Sequence, residues 1–218
     1  MTDKDRDAVK QKWEEAQRRE FEYTETGKDR VWGIPHSLVY WKQFLCLRNI
    51  DGCGVEIGCG RDGIYRFAPN ITGIDPIDFS HLCTNFRQGM GEDLPFKDKS
   101  ADFVICCNAL DHCLDPQKVV SEIFRISNRF ILWTYIHPRP IASVLNIVER
   151  THPYHFTATD VDDLLADYPH VITRRYVSTF FDVHLKYTKS LFASLKLFVA
   201  HFLGVRGLCL HIELTEGD

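Results

Sequence analysis

The sequence predicts an α/β domain: a mainly parallel sheet flanked by helices, spanning residues 49–218, with a helical extension over 1–48. Three observations predict it. Short apolar runs alternate with stretches of helical periodicity, the pattern of strands joined by crossover helices. The runs 102–107 and 129–135 are apolar almost throughout rather than at every second position, as befits strands buried on both faces. Between residues 55 and 67 the chain reads VEIGCGRDGIYRF, an apolar strand running into three glycines and then into a helix start. Glycine lets the backbone turn sharply and lets a ligand approach it closely.

Composition limits the function. The 218 residues fit one domain with a small appendage. The net charge of −4, with no basic tract, argues against a nucleic-acid partner. The first ten residues are charged and polar, unlike a signal segment, and no run approaches the ~20 apolar residues of a membrane span. The eight cysteines form no C-x-x-C pair. Cys53, Cys59, Cys106 and Cys107 are expected as reduced, mostly buried thiols of a cytoplasmic protein.

Taken in order, residues 3–27 form a charged helix with a thin apolar stripe of Val9, Trp13, Phe21 and Tyr23, touching the body through Trp13. A second helix is expected over 37–47, capped by Ser37, with Leu38, Trp41, Phe44 and Leu45 on one face. Strands follow at 54–57 and 71–74, with a helix from Asp62 between them, and a short strand near 82–85. The strand at 102–107 leads to Asp115 and Pro116, an N-cap and first-turn pair opening a helix with Val119, Val120, Ile123 and Phe124 inward. After the strand at 129–135, Thr157 with Asp160 three residues on makes a capping box, with Asp in place of Glu. That helix carries Val161, Leu164 and Leu165 and stops before Pro169. A bent strand over 171–186, a helix over 189–203 and a last strand over 208–214 complete the chain. In the 189–203 helix Leu191, Phe192, Leu195, Phe198, Val199 and Phe202 share one face. It packs on the sheet, or it rests weakly on a membrane surface or lines an acceptor pocket.

The glycine stretch reads literally as G-x-G-x-x-G (Gly58, Gly60, Gly63), the dinucleotide fingerprint. Glu56 argues against a dinucleotide, because a carboxylate at the strand end suits an ammonium group and repels a pyrophosphate. Asp75 ends the next strand and suits ribose hydroxyls, but arrives sooner than the ~20-residue spacing of dinucleotide sites.

Glu56, the glycines, Asp75 and the segment 91–115 (GEDLPFKDKSADFVICCNALDHCLD) together resemble the class I, Rossmann-like, S-adenosylmethionine-dependent methyltransferases. The resemblance is close over 55–135 and looser through 152–165. It implies a seven-stranded sheet with the last strand antiparallel, and S-adenosyl-L-methionine as cofactor. It places Glu56 near the methionyl ammonium, Gly58, Cys59 and Gly60 against the methionyl part, and Asp75 with Pro76 at the ribose. Met90, Gly91 and Glu92 border adenine, and Asn108 contacts the methionyl segment. Two departures stand out: Asp62 occupies the family's third-glycine position, with Gly63 one place late, and Met90 stands where the family has an acidic adenine contact.

Histidine titrates near neutrality and is the natural proton acceptor for methyl transfer. His112, which matches a histidine common in that family, His137 and His155 are the candidates, each following a strand or preceding a helix. His152 and His155, with a proline between them, and His137 do not make a zinc-type spacing, so no metal is expected. The leading reading is a methyltransferase acting on a small-molecule, lipid-linked or glycan-type acceptor. The rivals are an NAD-type oxidoreductase and a non-catalytic methyltransferase-like binding protein. A DNA- or RNA-modifying enzyme is disfavoured, because Asn108-Ala109-Leu110 stands in place of an Asn-Pro-Pro-aromatic motif.

Overall fold

A computed structural model of the chain describes residues 3–25, 30–31, 34–35, 51–61, 63–148, 152–177, 198–199 and 201–215. Helix α1 (Asp3–Glu25) is followed by a two-residue antiparallel ribbon of β1 (Arg30–Val31) and β2 (Ile34–Pro35). The main sheet contains β3 (Gly54–Ile57), β4 (Ile71–Asp75), β5 (Phe86–Gln88), β6 (Phe103–Cys107), β7 (Arg129–Ile136), β8 (His170–Val177) and β9 (Arg206–Leu214). Its order is β5-β4-β3-β6-β7-β9-β8. Neighbours are parallel from β5 to β7, and β9 runs antiparallel between β7 and β8. The expected seven strands and antiparallel last strand are present.

Strand alternation divides the core between the two faces of the sheet. Val104 and Cys106 of β6, Phe130 and Leu132 of β7 and Leu208, Leu210 and Ile212 of β9 pack on one face with helix α2 (Pro116–Ile126). Phe103 and Ile105 of β6 and Ile131 of β7 pack on the other, with Ile64, Tyr65, Phe79 and Phe86. Helix α2 forms as its sequence dictates. Asp115 accepts the Lys118 amide at 3.1 Å, Pro116 occupies the first turn, and Val119, Val120, Ile123 and Phe124 are buried. The capping box of Thr157 and Asp160 opens helix α4 (Ala158–Leu165), which buries Val161 and Leu165.

Several local expectations are corrected. The helix expected from Asp62 is a single 3-10 turn, Ile64–Arg66. The Pro69-Asn70 pair that follows leaves little room for more before β4 starts at Ile71. The short strand lies at Phe86–Gln88, just after the expected 82–85. A helix not expected, α3 (Arg139–Val148), follows β7 and buries only Ala142. Cys53 is exposed and Cys107 partly buried, while Cys59, Cys106 and Cys209 are buried. On α1, Ala16 is fully buried and Phe21 is 49% exposed, so the contact stripe runs through Trp13 and Ala16 and leaves Phe21 out. The expected helix at 37–47, the far end of the bent strand and most of the helix at 189–203 lie outside the described residues. At the end of the latter, Phe198, Val199, Phe202 and Leu203 are exposed. Among the described residues no helix is long and apolar enough to cross a membrane.

Candidate active site

The order of the sheet reverses at β3: the chain builds β4 and β5 on one side, then crosses to β6 and β7 on the other. Ligands of open parallel sheets bind beyond the carboxyl ends of the strands at such a switch. Gly58 and Gly60 lie there, with φ of +61° and +57°, a left-handed backbone that favours glycine. The two do different jobs. A Cβ on Gly58 would stand 2.2 Å from the Cβ of Ala109, so the turn is packed tightly against the segment after β6. At Gly60 nothing among the described residues lies within 4 Å of that position, so they leave the backbone there bare.

Two buried carboxylates brace this turn. Glu56 is 1% exposed, and its Oε2 accepts the Tyr65 amide at 2.9 Å. Asp75 Oδ2 accepts the Gly60 amide at 2.9 Å and Oδ1 the Ile77 amide at 2.9 Å, which fixes the bend through Pro76. Gly63 makes the close approach possible: a Cβ there would meet the Cys59 carbonyl at 2.3 Å and Glu56 Oε2 at 2.7 Å. The late glycine therefore has a packing reason of its own. Burial, and then the Asp75 and Glu56 charges, push the Cys59 thiol well above its ordinary range. It is a packing group and not a nucleophile.

The remaining strand ends close around the switch. Met90 is half-buried and bridges to Asp93, and Gly91 is packed against Ile57 and Val119. Glu92, expected at the adenine edge, uses Oε1 to accept the Leu114 and Asp115 amides at 2.7 and 3.1 Å, and so fastens the start of α2. Asn108 adopts φ +52° and donates its amide to the Trp133 carbonyl at 2.7 Å. Its Oδ1 is buried and accepts no hydrogen bond among the described residues. Buried polar atoms are nearly always satisfied, and a donor on a bound ligand would satisfy this one.

The histidines meet on the next two strand ends. His112 closes the 3-10 turn Leu110–His112 after β6, and His137 follows β7. Ring centroids stand 4.4 Å apart for His112 and His152, 5.7 Å for His152 and His155, and 5.2 Å for His137 and His155. Burial holds His137 below its ordinary value of 6.5, which keeps it neutral at neutral pH. The three histidines chosen from sequence are thus brought together, with His152 joining them. The residue sequence reading missed is Asp111, a 7% exposed carboxylate whose Oδ2 lies 3.9 Å from His152 Nε2. Its one sequence signal is its place beside His112 at a strand end.

Helix α1 lies over this cluster. Lys12 Nζ donates to the carbonyls of Asn146 (3.0 Å) and Pro153 (3.2 Å), and Gln17 Nε2 to that of His112 (3.4 Å). Beside it a cleft of about 1090 Å³ is walled by Val9, Lys10, Met90, Glu92, Tyr154, His155 and Phe156, among others. Of the clustered histidines His155 is in its walls, while Glu56, the glycine turn and Asp75 are not.

Residues 55–129 match the methyltransferase domain family. A curated relative, an uncharacterised protein of Methanocaldococcus jannaschii, is 30% identical over 108 residues, covering 45% of this chain and 51% of that protein; the chain spans about half the length of the curated relative it matches. An S-adenosylmethionine-dependent methyltransferase of Thermotoga maritima superposes with a TM-score of 0.56 at 17% identity, over 82% of this chain and 89% of that one. The geranyl diphosphate C-methyltransferase of Streptomyces coelicolor, solved with S-adenosylhomocysteine, gives 0.57 at 15% identity over 76% and 73%. A Haloferax volcanii methyltransferase in complex with the Trm112 activator gives 0.59 at 15% identity over 89% and 94%. Family match and strand order agree: residues 55–129 match the methyltransferase domain family, and the chain has the Rossmann-like fold of the solved methyltransferases it resembles.

Proposed function

We propose that the chain transfers a methyl group from S-adenosylmethionine to a small organic acceptor that enters on the histidine side. The observation that carries this reading is the division of labour at the switch point. Backbone that the described residues leave bare at Gly60, with Asp75 beside it, and the unsatisfied Asn108 Oδ1 after the neighbouring strand offer a cofactor site. The histidine cluster on the adjoining strand ends offers a proton acceptor. Asp75 beside the Gly60 amide takes the ribose hydroxyls, Glu56 sets the field for the methionyl ammonium, and Asn108 accepts from the methionyl segment. Met90 and Gly91 supply packing at adenine, while Glu92 acts through the loop it fastens.

The transfer itself is a displacement at the sulfonium. The acceptor's lone pair forms the bond to the methyl carbon, the sulfur–methyl bond breaks, and S-adenosylhomocysteine leaves. A proton on the nucleophile passes to a base. His137 is the best base in the cluster, because its buried ring stays neutral and its Nδ1 has no hydrogen-bond partner among the described residues. His112 and His155 follow it. Phe198, Val199, Phe202 and Leu203 at the end of the 189–203 segment are exposed, an apolar surface that suits a greasy or lipid-linked acceptor.

The test is turnover, read as S-adenosylhomocysteine released across an acceptor collection. With an acceptor in hand, His137→Gln should lower kcat about a hundredfold with little change in KM for the cofactor. The wild-type rate should hold on acidification to below pH 6.5, as the lowered His137 value requires. Full turnover in His137→Gln would remove it as the base. Cofactor binding without turnover on any acceptor would favour a binding protein.

A further inference from the structure

Beside the proposed cofactor site, three side chains form a group that cofactor binding does not use. Asp111 and His112 are neighbours on the 3-10 turn after β6, and His152 comes from the loop before α4. Each offers a ligand atom, and the three atoms lie within 4.8 Å of one another. We propose that Asp111, His112 and His152 bind a divalent first-row transition-metal ion.

Four observations support this. Asp111 is 93% buried by its 7% exposure, yet its Oδ1 makes no hydrogen bond, and its only ion-pair neighbour among the described residues is His152. A buried carboxylate without full compensation is costly, and a cation supplies the compensation. His112 Nδ1 is likewise buried without a partner among the described residues. The rings of His112 and His152 are tilted by 58° at 4.4 Å, beside the carboxylate and not stacked away from it. Finally, the two segments are fastened to each other. The Tyr154 amide donates to the Asp111 carbonyl at 3.3 Å, the His137 amide to that of Phe156 at 2.8 Å, and α1 holds the carbonyls of His112 and Pro153. The ligand-bearing backbone is therefore organised before any ion arrives.

The geometry and chemistry select the ion. Ligands at ~2.0–2.2 Å from one ion stand roughly 3–3.5 Å apart, so the three side chains need to close by about an ångström, within the reach of side-chain rotation. Two imidazoles and one carboxylate suit zinc, cobalt or iron(II) and not calcium or magnesium, which prefer all-oxygen shells. Three protein ligands leave at least one position open, as in catalytic and not structural sites. Resting on the methyltransferase reading, that open position takes an oxygen of the acceptor, a hydroxyl or carboxylate, and holds it near His137. His112 then belongs to the ion and not to the proton.

The experiment titrates the chelator-treated full chain with Zn(II) by calorimetry and with Co(II) by visible absorption. One equivalent should bind, and the Co(II) spectrum should show ligand-field bands without the thiolate charge-transfer band that a cysteine would give. Asp111→Asn and His152→Gln should each weaken binding by at least about a hundredfold, while melting temperature and S-adenosylmethionine binding stay at wild-type levels. His170→Gln, on β8, should change nothing. If Asp111→Asn fails to fold, the wild-type titration and His152→Gln, whose side chain is 34% exposed, decide the matter. No saturable binding at one equivalent, a thiolate band, or binding indifferent to these substitutions would overturn the proposal. A wild type that binds Zn(II) as described but no S-adenosylmethionine would sink the methyltransferase reading and leave the metal site standing.

Discussion

Gly58 and Gly60 have the same backbone conformation and opposite surroundings, and this difference separates scaffold from site. Placing alanine at a left-handed position costs about 1–2 kcal/mol. At Gly60 that is the whole cost, because the new methyl meets none of the described residues. Gly60→Ala should therefore fold, melt a few degrees lower, and lose most of its cofactor affinity, because the methionyl group would rest there. At Gly58 the methyl also strikes Ala109, adding about 1–3 kcal/mol of overpacking. Gly58→Ala should lose far more stability than Gly60→Ala. Thermal melts alongside S-adenosylhomocysteine titrations measure both, and equal melting temperatures would contradict the assignment. Sequence could not tell these glycines apart, since both read as small residues in a turn. The Asp75 side chain was legible because a strand-end carboxylate has few other reasons to be there. Asp111 was not, because its partner His152 lies 41 positions later and only the fold brings them together.

At the scale of elements, the loop after β5 owes its shape to one arginine on α2. Arg125 bonds Glu122 at 2.7 and 2.8 Å, Asp98 at 2.8 Å, and the carbonyls of Phe96 and Leu94 at 2.8 and 3.1 Å. Glu122 Oε2 also accepts the Leu94 amide at 2.8 Å, and hydrogen bonding from Arg125 holds the Glu122 carboxyl below its ordinary range. This clamp ties residues 94–98, which continue from Met90 and Glu92, to the helix. Arg125→Met should cost about 1–3 kcal/mol, since it frees several acceptors at once, and should raise KM for the cofactor more than it lowers kcat. A denaturant melt with steady-state kinetics checks this, and an unchanged KM would detach the clamp from the site. Strands and capped helices were legible because apolar runs and the Asp115-Pro116 and Thr157–Asp160 signals are local. The helix Arg139–Val148 was not, because Pro140 and its largely exposed apolar face gave no buried stripe to read. The helix expected at Asp62 shrank to one turn because the chain must reach β4 within a few residues.

Across the whole molecule, the sheet order gathers residues far apart in sequence onto one edge. Glu56, Asp75, Asn108 and His137 each lie at or just beyond the carboxyl end of a different strand, and the reversal at β3 sets β4 and β6 on either side of it. The same G-x-G-x-x-G stretch and strand-end acid would serve a dinucleotide enzyme. What distinguishes the two is the carboxylate of Glu56, 1% exposed beneath the turn, which opposes a pyrophosphate and favours an ammonium. Calorimetry on the wild type and Asp75→Ala, with S-adenosylmethionine, S-adenosylhomocysteine and NAD, tests this most directly. The two sulfur compounds should bind saturably and NAD not at all, with a roughly ten- to hundredfold loss in a still-folded Asp75→Ala, the worth of about 1.5–3 kcal/mol for a hydrogen bond to a charged group. Tight NAD binding, or S-adenosylmethionine affinity indifferent to Asp75→Ala, would contradict it.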